Sequence, residues 1–147
     1  MDGEPVLVML VEDNVDHAEL VIRTLADHRV VNKIVHFSDG QVALDYLFRR
    51  GDYVDPATAP YPHVILLDLR LPKVDGLEVL RLIKEDGQLR RIPVVILTTS
   101  AAERDVARAY VNHANSYLVK PVGYEQFAKM MEDLGFYWLG WNTQPRI

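Results

Sequence analysis

Five apolar runs of strand length, each closed by a residue with chemistry to offer, constrain this chain more than any other feature. They fall at 6–11, 33–37, 63–67, 92–97 and 116–119, and the residues that close them are Glu12 and Asp13, Ser38 and Asp39, Asp68, Thr98 and Lys120. Helix-period stretches separate most of them. Continuous apolar runs are what strands buried on both faces look like. Strands alternating with helices build a parallel sheet, and right-handed crossovers place helices on both of its faces. The expected architecture is α/β, a doubly wound five-stranded parallel sheet in the order 2-1-3-4-5. Ligands of such sheets sit at the carboxyl ends of the strands. Three carboxylates, a hydroxyl and an ammonium therefore gather at one edge.

The intervening segments carry their own punctuation. Asn14 is a good N-cap for a first helix with Ala18, Val21, Ile22 and Leu25 on one face. Ser38 or Asp39 caps a second, with Val42, Ala43, Tyr46 and Leu47 inward and Gly51 as its expected end. Pro56, Pro60 and Pro62 mark 52–62 as a long loop. Pro72 keeps the turn at 71–76 out of a helix, and a third helix is expected over 75–85 with Val79, Leu80 and Ile83 buried. A fourth covers roughly 102–112. A fifth starts near Gly123 and keeps Phe127, Met130, Met131 and Leu134 on one face.

Composition removes several function classes. A net charge of -5 argues against nucleic-acid binding through a basic surface. With no cysteine there is no thiol nucleophile, thiolate metal site or disulfide. The polar, acidic first residues are unlike a secretory signal, and no apolar run approaches membrane-spanning length. These features point to a soluble, cytoplasmic protein with no membrane partner. The five histidines show no metal spacing among themselves.

Singly, each strand-end residue has a bland reading. Glu12-Asp13 before a helix can serve its dipole, Thr98 can cap, and Lys120 can be solvated surface. Together they describe phosphoryl chemistry. Asp13 and Asp68 on neighbouring strands repel unless a cation or proton intervenes, and an oxygen-only ligand set suits Mg²⁺. Asp68 offers a carboxylate nucleophile, a known route to aspartyl phosphates. Lys120 offers a compact charge to a phosphoryl group, and Thr98 a hydroxyl.

These residues fall in motifs that resemble receiver domains of two-component response regulators. The motifs are Val-Glu-Asp-Asn at 11–14, Leu-Leu-Asp-Leu-Arg-Leu-Pro-Lys-Val-Asp-Gly at 66–76, Ile-Leu-Thr-Thr-Ser at 96–100 and Tyr-Leu-Val-Lys-Pro at 117–121. The resemblance runs from about Pro5 to Leu134 and implies the flavodoxin-like fold. It also implies Asp68 as phosphoacceptor. Glu12, Asp13, Asp68 and the Arg70 backbone carbonyl become Mg²⁺ ligands, Thr98 and Tyr117 the switch pair, and Lys120 the site lysine, followed in the family by a cis-proline. Arg70 and Ser100 border the site at positions where the family varies. Its members are phosphoacceptor signalling proteins that catalyse their own phosphorylation and dephosphorylation, and the implied partner is a sensor histidine kinase.

The 52–62 loop and the ending Phe-Tyr-Trp-Leu-Gly-Trp-Asn resemble a narrower subgroup, stand-alone receivers paired with phytochrome-type kinases in cyanobacteria and other bacteria. The expected organisation is a receiver over 1–134 and an aromatic tail over 135–147, with no separate output domain. The tail either folds back as a lid or forms an interface. The favoured expectation is a homodimer through helices four and five with the tail. Rival readings fare worse. A phosphatase of the haloacid dehalogenase type wants a second Asp where Arg70 stands, and a flavodoxin's phosphate would meet Glu12-Asp13 instead of a glycine-rich loop. A DNA-binding regulator would need a basic helix and an output domain.

Overall fold

The central strands form where β-branched and aliphatic residues run together, while the edge strand at 31–37 carries Asn32, Lys33 and His36 among them, and alternation sorts side chains onto two faces. The computed structural model describes residues 6–26, 31–98 and 116–119. The strands are β1 (Val6–Val11), β2 (Val31–Phe37), β3 (Val64–Asp68), β4 (Val94–Thr98) and β5 (Ser116–Val119). They pair in parallel in the order β2-β1-β3-β4-β5, the order expected. The helices among the described residues are α1 (Val15–Ala26), α2 (Gly40–Leu47) and α3 (Gly76–Glu85), with short 3-10 helices at Gly51–Tyr53 and Leu89–Arg91. The expected fourth and fifth helices lie outside the described residues.

Helices occupy both faces. Val8, Leu10, Val64, Leu66, Val95 and Leu97 cluster with Ala18, Leu20, Val21 and Leu25 of α1. Met9, Val11, Ile65, Leu67, Val94 and Ile96 cluster with α2 and α3 through Ala43, Leu44, Leu47, Val79, Leu80 and Ile83. Period-2 alternation thus survives inside runs that read as uniformly apolar. Two helix faces are turned slightly from expectation. Ile22 and Val42 pack against the core as expected but are only partly buried, and Leu20 and Leu44 join the buried sets of α1 and α2.

Several boundaries differ, each for a local reason. Helix α2 ends at Leu47 rather than near Gly51; Arg49 takes a left-handed φ of 55° and Gly51 one of 59°. Asp68 is the last residue of β3, not the first beyond it, while His63 precedes the strand. There the Leu7 N–H donates to His63 Nδ1 at 3.0 Å and the His63 N–H to the Leu7 carbonyl at 2.8 Å. The side chain extends the ladder that its backbone has left. Strand β4 starts after Pro93, whose nitrogen cannot donate, although its carbonyl still accepts from Ile65 N at 2.9 Å.

The 52–62 loop is more built than its prolines suggest. It opens with a 3-10 turn, and Asp55 then accepts from the N–H groups of Ala57, Thr58 and Ala59. Ala59 is fully buried. The Tyr46 hydroxyl donates to the Pro60 carbonyl at 2.7 Å, and the rings of Phe37, Tyr46 and Tyr53 meet at centroid distances of 5.3–5.9 Å.

Candidate functional site

Parallel register decides what meets at the carboxyl edge. Val11 pairs with Phe37 on one side and with Leu67 on the other, Asp68 with Leu97, and Thr98 with Val119. The strands therefore end nearly level, and Glu12, one residue past Val11, stands beside Asp68. Carboxylate oxygens of Glu12, Asp13 and Asp68 all lie within 4.8 Å of one another.

The three acids are not equivalent. Glu12 is fully buried, Asp68 is 4% exposed, and Asp13 is open to solvent. The Glu12 N–H continues the ladder to the Phe37 carbonyl at 3.0 Å, and the Glu12 carbonyl accepts from His36 Nε2 at 2.8 Å. Its Oε2 accepts from the Asn14 N–H at 3.1 Å. Capping of α1 falls to Asn14 itself, whose Oδ1 accepts from His17 N at 3.0 Å. The acidic pair is thereby released from the bland capping role, and Asp13 is left facing the cluster. Asp68 Oδ1 accepts from the Arg70 N–H at 3.1 Å, which turns the chain sharply as it leaves β3. The Arg70 residue is exposed.

Close carboxylates favour a proton or a cation between them. An oxygen-only set with few protein ligands, one of them open to water, fits a small hard ion such as Mg²⁺ and does not fit zinc.

The loop that follows β3 is held from two sides. The Gly76 N–H donates to the Leu69 carbonyl at 2.9 Å, and a Cβ on Gly76 would lie 2.2 Å from the Asp68 carbonyl oxygen. Only glycine permits that approach. Asp75 then caps α3 through the Glu78 N–H.

Of the other expected site residues, Thr98 ends β4 opposite Val119, and Tyr117 pairs in the ladder with Ile96. Lys120, Pro121 and Ser100 lie outside the described residues. His36 is exposed, as the surface reading expected, and what that reading did not include is its ring's bond to the Glu12 carbonyl. Sequence reasoning also passed over Gly40 and Gly76, although both sit in Asp-Gly pairs just after or before the site elements.

Comparison with known proteins agrees with this geometry. The family model of the response regulator receiver domain matches residues 8–132. The chain belongs to the response regulator receiver domain family. Among its relatives, the probable methanogenesis regulatory protein FilR2 of Methanothrix harundinacea is 46% identical over 142 residues, covering 97% of this chain and 89% of that protein. The response regulator Rcp1 of Synechocystis is 40% identical over 141 residues, covering 96% and 94%. The structure of Rcp1 in its Mn²⁺-bound form superposes with a TM-score of 0.86 at 39% identity, covering 97% of this chain and all of that one. The phosphorylated cyanobacterial phytochrome response regulator RcpA gives 0.87 at 40% identity, with the same coverage. This receiver is thus related to phytochrome response regulators, in a family of signalling phosphoacceptors. Among the described residues no helix is long and apolar enough to cross a membrane.

Proposed function

We propose that this receiver is a response regulator that takes a phosphoryl group from the phosphohistidine of a sensor histidine kinase onto Asp68. The observation that carries the reading is the Glu12–Asp13–Asp68 cluster at the carboxyl end of the central strands. An Asp68 carboxylate oxygen attacks phosphorus, the phosphorus–nitrogen bond to the kinase imidazole breaks, and the bonding pair leaves with the nitrogen. Glu12, Asp13, Asp68 and the Arg70 carbonyl would hold Mg²⁺, which supplies charge neutralisation for the phosphoryl oxygens. The Arg70 N–H orients Asp68 through its 3.1 Å bond to Oδ1. Lys120 takes the role of a cation paired with the phosphoryl group, by the family's motif. Thr98 and Tyr117 take the role of switch residues, supported by the same motif and by their places on adjoining strands. Acyl phosphates are labile, so the mark would be a timed signal, and Arg70 and Ser100 would tune its lifetime.

Labelled acetyl phosphate with Mg²⁺ tests this reading. Full-length protein should take up label, and Asp68→Asn should take up none while remaining folded. Equal labelling of both proteins would remove Asp68 from its role. Lys120→Ala should fold but phosphorylate or switch poorly.

The kinase is proposed to be of the phytochrome type, supported by the likeness to RcpA. FilR2, which carries a methanogenesis role in its name, supports a second input unrelated to light. Label transfer from a phytochrome kinase and from a non-photosensory kinase separates the two.

The proposal extends to a homodimer through helices four and five, with a tail at 135–147 packed between protomers. Its support is the tail's composition, four aromatics (Phe136, Tyr137, Trp138 and Trp141) within seven residues. Trp and Tyr are favoured interface anchors. Light scattering of the full chain and of a truncation after Leu134 tests it. A full-length monomer at tens of micromolar overturns the dimer, and a truncation that stays dimeric overturns the tail's part.

A further inference from the structure

We propose that Asp39 and Gly40, at the head of α2, are positioning residues that hold the β3–α3 loop and so set how tightly the Asp68 site binds its divalent cation. The inference rests on reading the acidic cluster as a metal site.

The loop at 69–75 stores strain at one residue. Lys73 adopts a φ of 70°, and the Val74 N–H donates to the Pro72 carbonyl at 2.8 Å, closing a three-residue turn around it. A non-glycine residue in that conformation persists only where its surroundings over-determine it. Here the surroundings are the first residues of α2. The Gly40 N–H donates to the same Pro72 carbonyl at 3.3 Å, and the Asp39 Oδ2 lies 3.7 Å from the Lys73 Nζ. The Asp39 side chain is 14% exposed and that of Lys73 66%, so solvent screens the pair from the lysine side and its share is that of a modest ion pair beside the backbone contacts. A Cβ on Gly40 would sit 2.0 Å from the Val74 carbonyl oxygen and 3.0 Å from Val79 Cγ2. The helix therefore seats on the loop backbone more closely than any other residue would allow.

The near limb of the loop is tied to the acceptor. The Arg70 N–H bonds Asp68 Oδ1, and Gly76 closes on Leu69 and on the Asp68 carbonyl. Arg70, whose carbonyl is the fourth protein ligand of the proposed site, lies between these ties and the strained turn. With Leu69 and Gly76 pinned to each other, displacement of the 72–74 turn is absorbed by Arg70 and Leu71 on one side and Asp75 on the other. Asp39 and Gly40 touch no substrate; they act through the position of the Arg70 backbone. Asp39 Oδ1 meanwhile accepts from Val42 N at 2.8 Å, so one carboxylate both caps α2 and steadies the loop.

Calorimetric titration of the full chain with Mn²⁺, together with phosphorylation by acetyl phosphate at limiting and saturating Mn²⁺, tests the proposal. Gly40→Ala, which forces helix and loop apart, should raise the metal Kd about tenfold, as loss of a ligand-orienting contact does. Asp39→Asn keeps the cap but loses the charge, and should raise Kd about threefold. Lys73→Arg keeps the ion pair and should bind the metal within about twofold of wild type. Both weakened variants should phosphorylate slowly at limiting metal and approach the wild-type rate at saturation, a split that general destabilisation does not produce. If Gly40→Ala fails to fold, Asp39→Asn decides. Values of Kd within about twofold of wild type in Gly40→Ala and Asp39→Asn overturn the proposal. A wild-type chain that binds Mn²⁺ but is never labelled on Asp68 overturns the phosphoacceptor reading and leaves the Kd comparison intact. A wild-type chain that binds no Mn²⁺ overturns both.

Discussion

Two loops flank β3, and each bends through a cationic residue in the left-handed region, yet they are held by different means. The loop after the strand turns at Lys73 (φ 70°) and is held by backbone hydrogen bonds, two glycines and an ion pair around a cluster of carboxylates. The segment before the strand turns at Arg49 (φ 55°) and is held by aromatic packing together with the Asp55 and Tyr46 hydrogen bonds. The Arg49 guanidinium lies 4.1 Å from the centroid of the Tyr61 ring, and its buried Nε has no hydrogen-bond partner among the described residues. Tyr46 and Tyr53 complete that packing with Phe37. Burial raises the Tyr46 hydroxyl pKa above the ordinary tyrosine value. The contrast teaches where strain serves chemistry. Polar, glycine-dependent contacts fix backbone atoms around Asp68, whereas around Arg49 apolar area carries stability, and the aromatic cluster reaches the carboxyl edge only through Phe37, whose carbonyl accepts from the Glu12 N–H.

If that division is real, substitutions at the two ends should separate stability from chemistry. The largest loss of stability belongs to Tyr46→Ala, which removes a buried ring and its hydrogen bond. Urea unfolding should show a decrease of about 4 kcal/mol, with the labelling rate per folded molecule unchanged. A parallel drop in labelling would mean that the aromatic cluster also shapes the site. Gly76→Ala should cost somewhat less, about 3 kcal/mol, because the loop can give where a cavity cannot fill. Its labelling rate per folded molecule should nevertheless fall by at least about tenfold, since the new Cβ displaces the Asp68 backbone. A stable variant labelled at the wild-type rate would break the comparison. Tyr46→Phe removes only the bond to the Pro60 carbonyl and should lower stability by about 1 kcal/mol, again without effect on labelling.

The smallest effect concerns pH. Lys84, in the last turn of α3, donates to the carbonyls of Arg90 and Ile92 at 3.0 and 2.9 Å, and burial lowers its pKa below the ordinary lysine value. The unfolded chain then binds this proton more readily than the folded one. Its contribution to stability should therefore rise as pH climbs from the lowered folded pKa towards the ordinary value near about 10.4. Lys84→Met should flatten that rise in urea midpoints measured across the alkaline range. An unchanged slope would assign it to other groups.

Most of the edge was legible without coordinates because it depends on local signals. Runs such as Val-Ile-Leu-Leu announce a buried strand, and in a parallel sheet the residue after each strand is delivered to one side. The limits of local reasoning show at Gly51, expected to end α2. The chain leaves that helix at Leu47 because Arg49 takes the left-handed cap position, closed by the Arg50 N–H on the Asp45 carbonyl at 2.8 Å, with its guanidinium over the ring of Tyr61, twelve residues further on. They show again at His36, whose spacing suggests nothing and whose ring meets the carbonyl of Glu12 across the β1–β2 pair.

By itself, then, the sequence determined the α/β alternation, the strand order that such alternation favours and the identity of the acids at the carboxyl edge. Composition and periodicity act within a few residues and are written in the chain. Tertiary structure alone decided that Glu12 is sealed while its neighbour Asp13 meets water, since successive residues of an extended chain point opposite ways and only the packed sheet says which way is inside. It alone decided that Gly40 rests on the Val74 carbonyl and Gly76 on that of Asp68. Such approaches join backbone atoms from separate elements, and close packing between elements fixes their distance where no local propensity can.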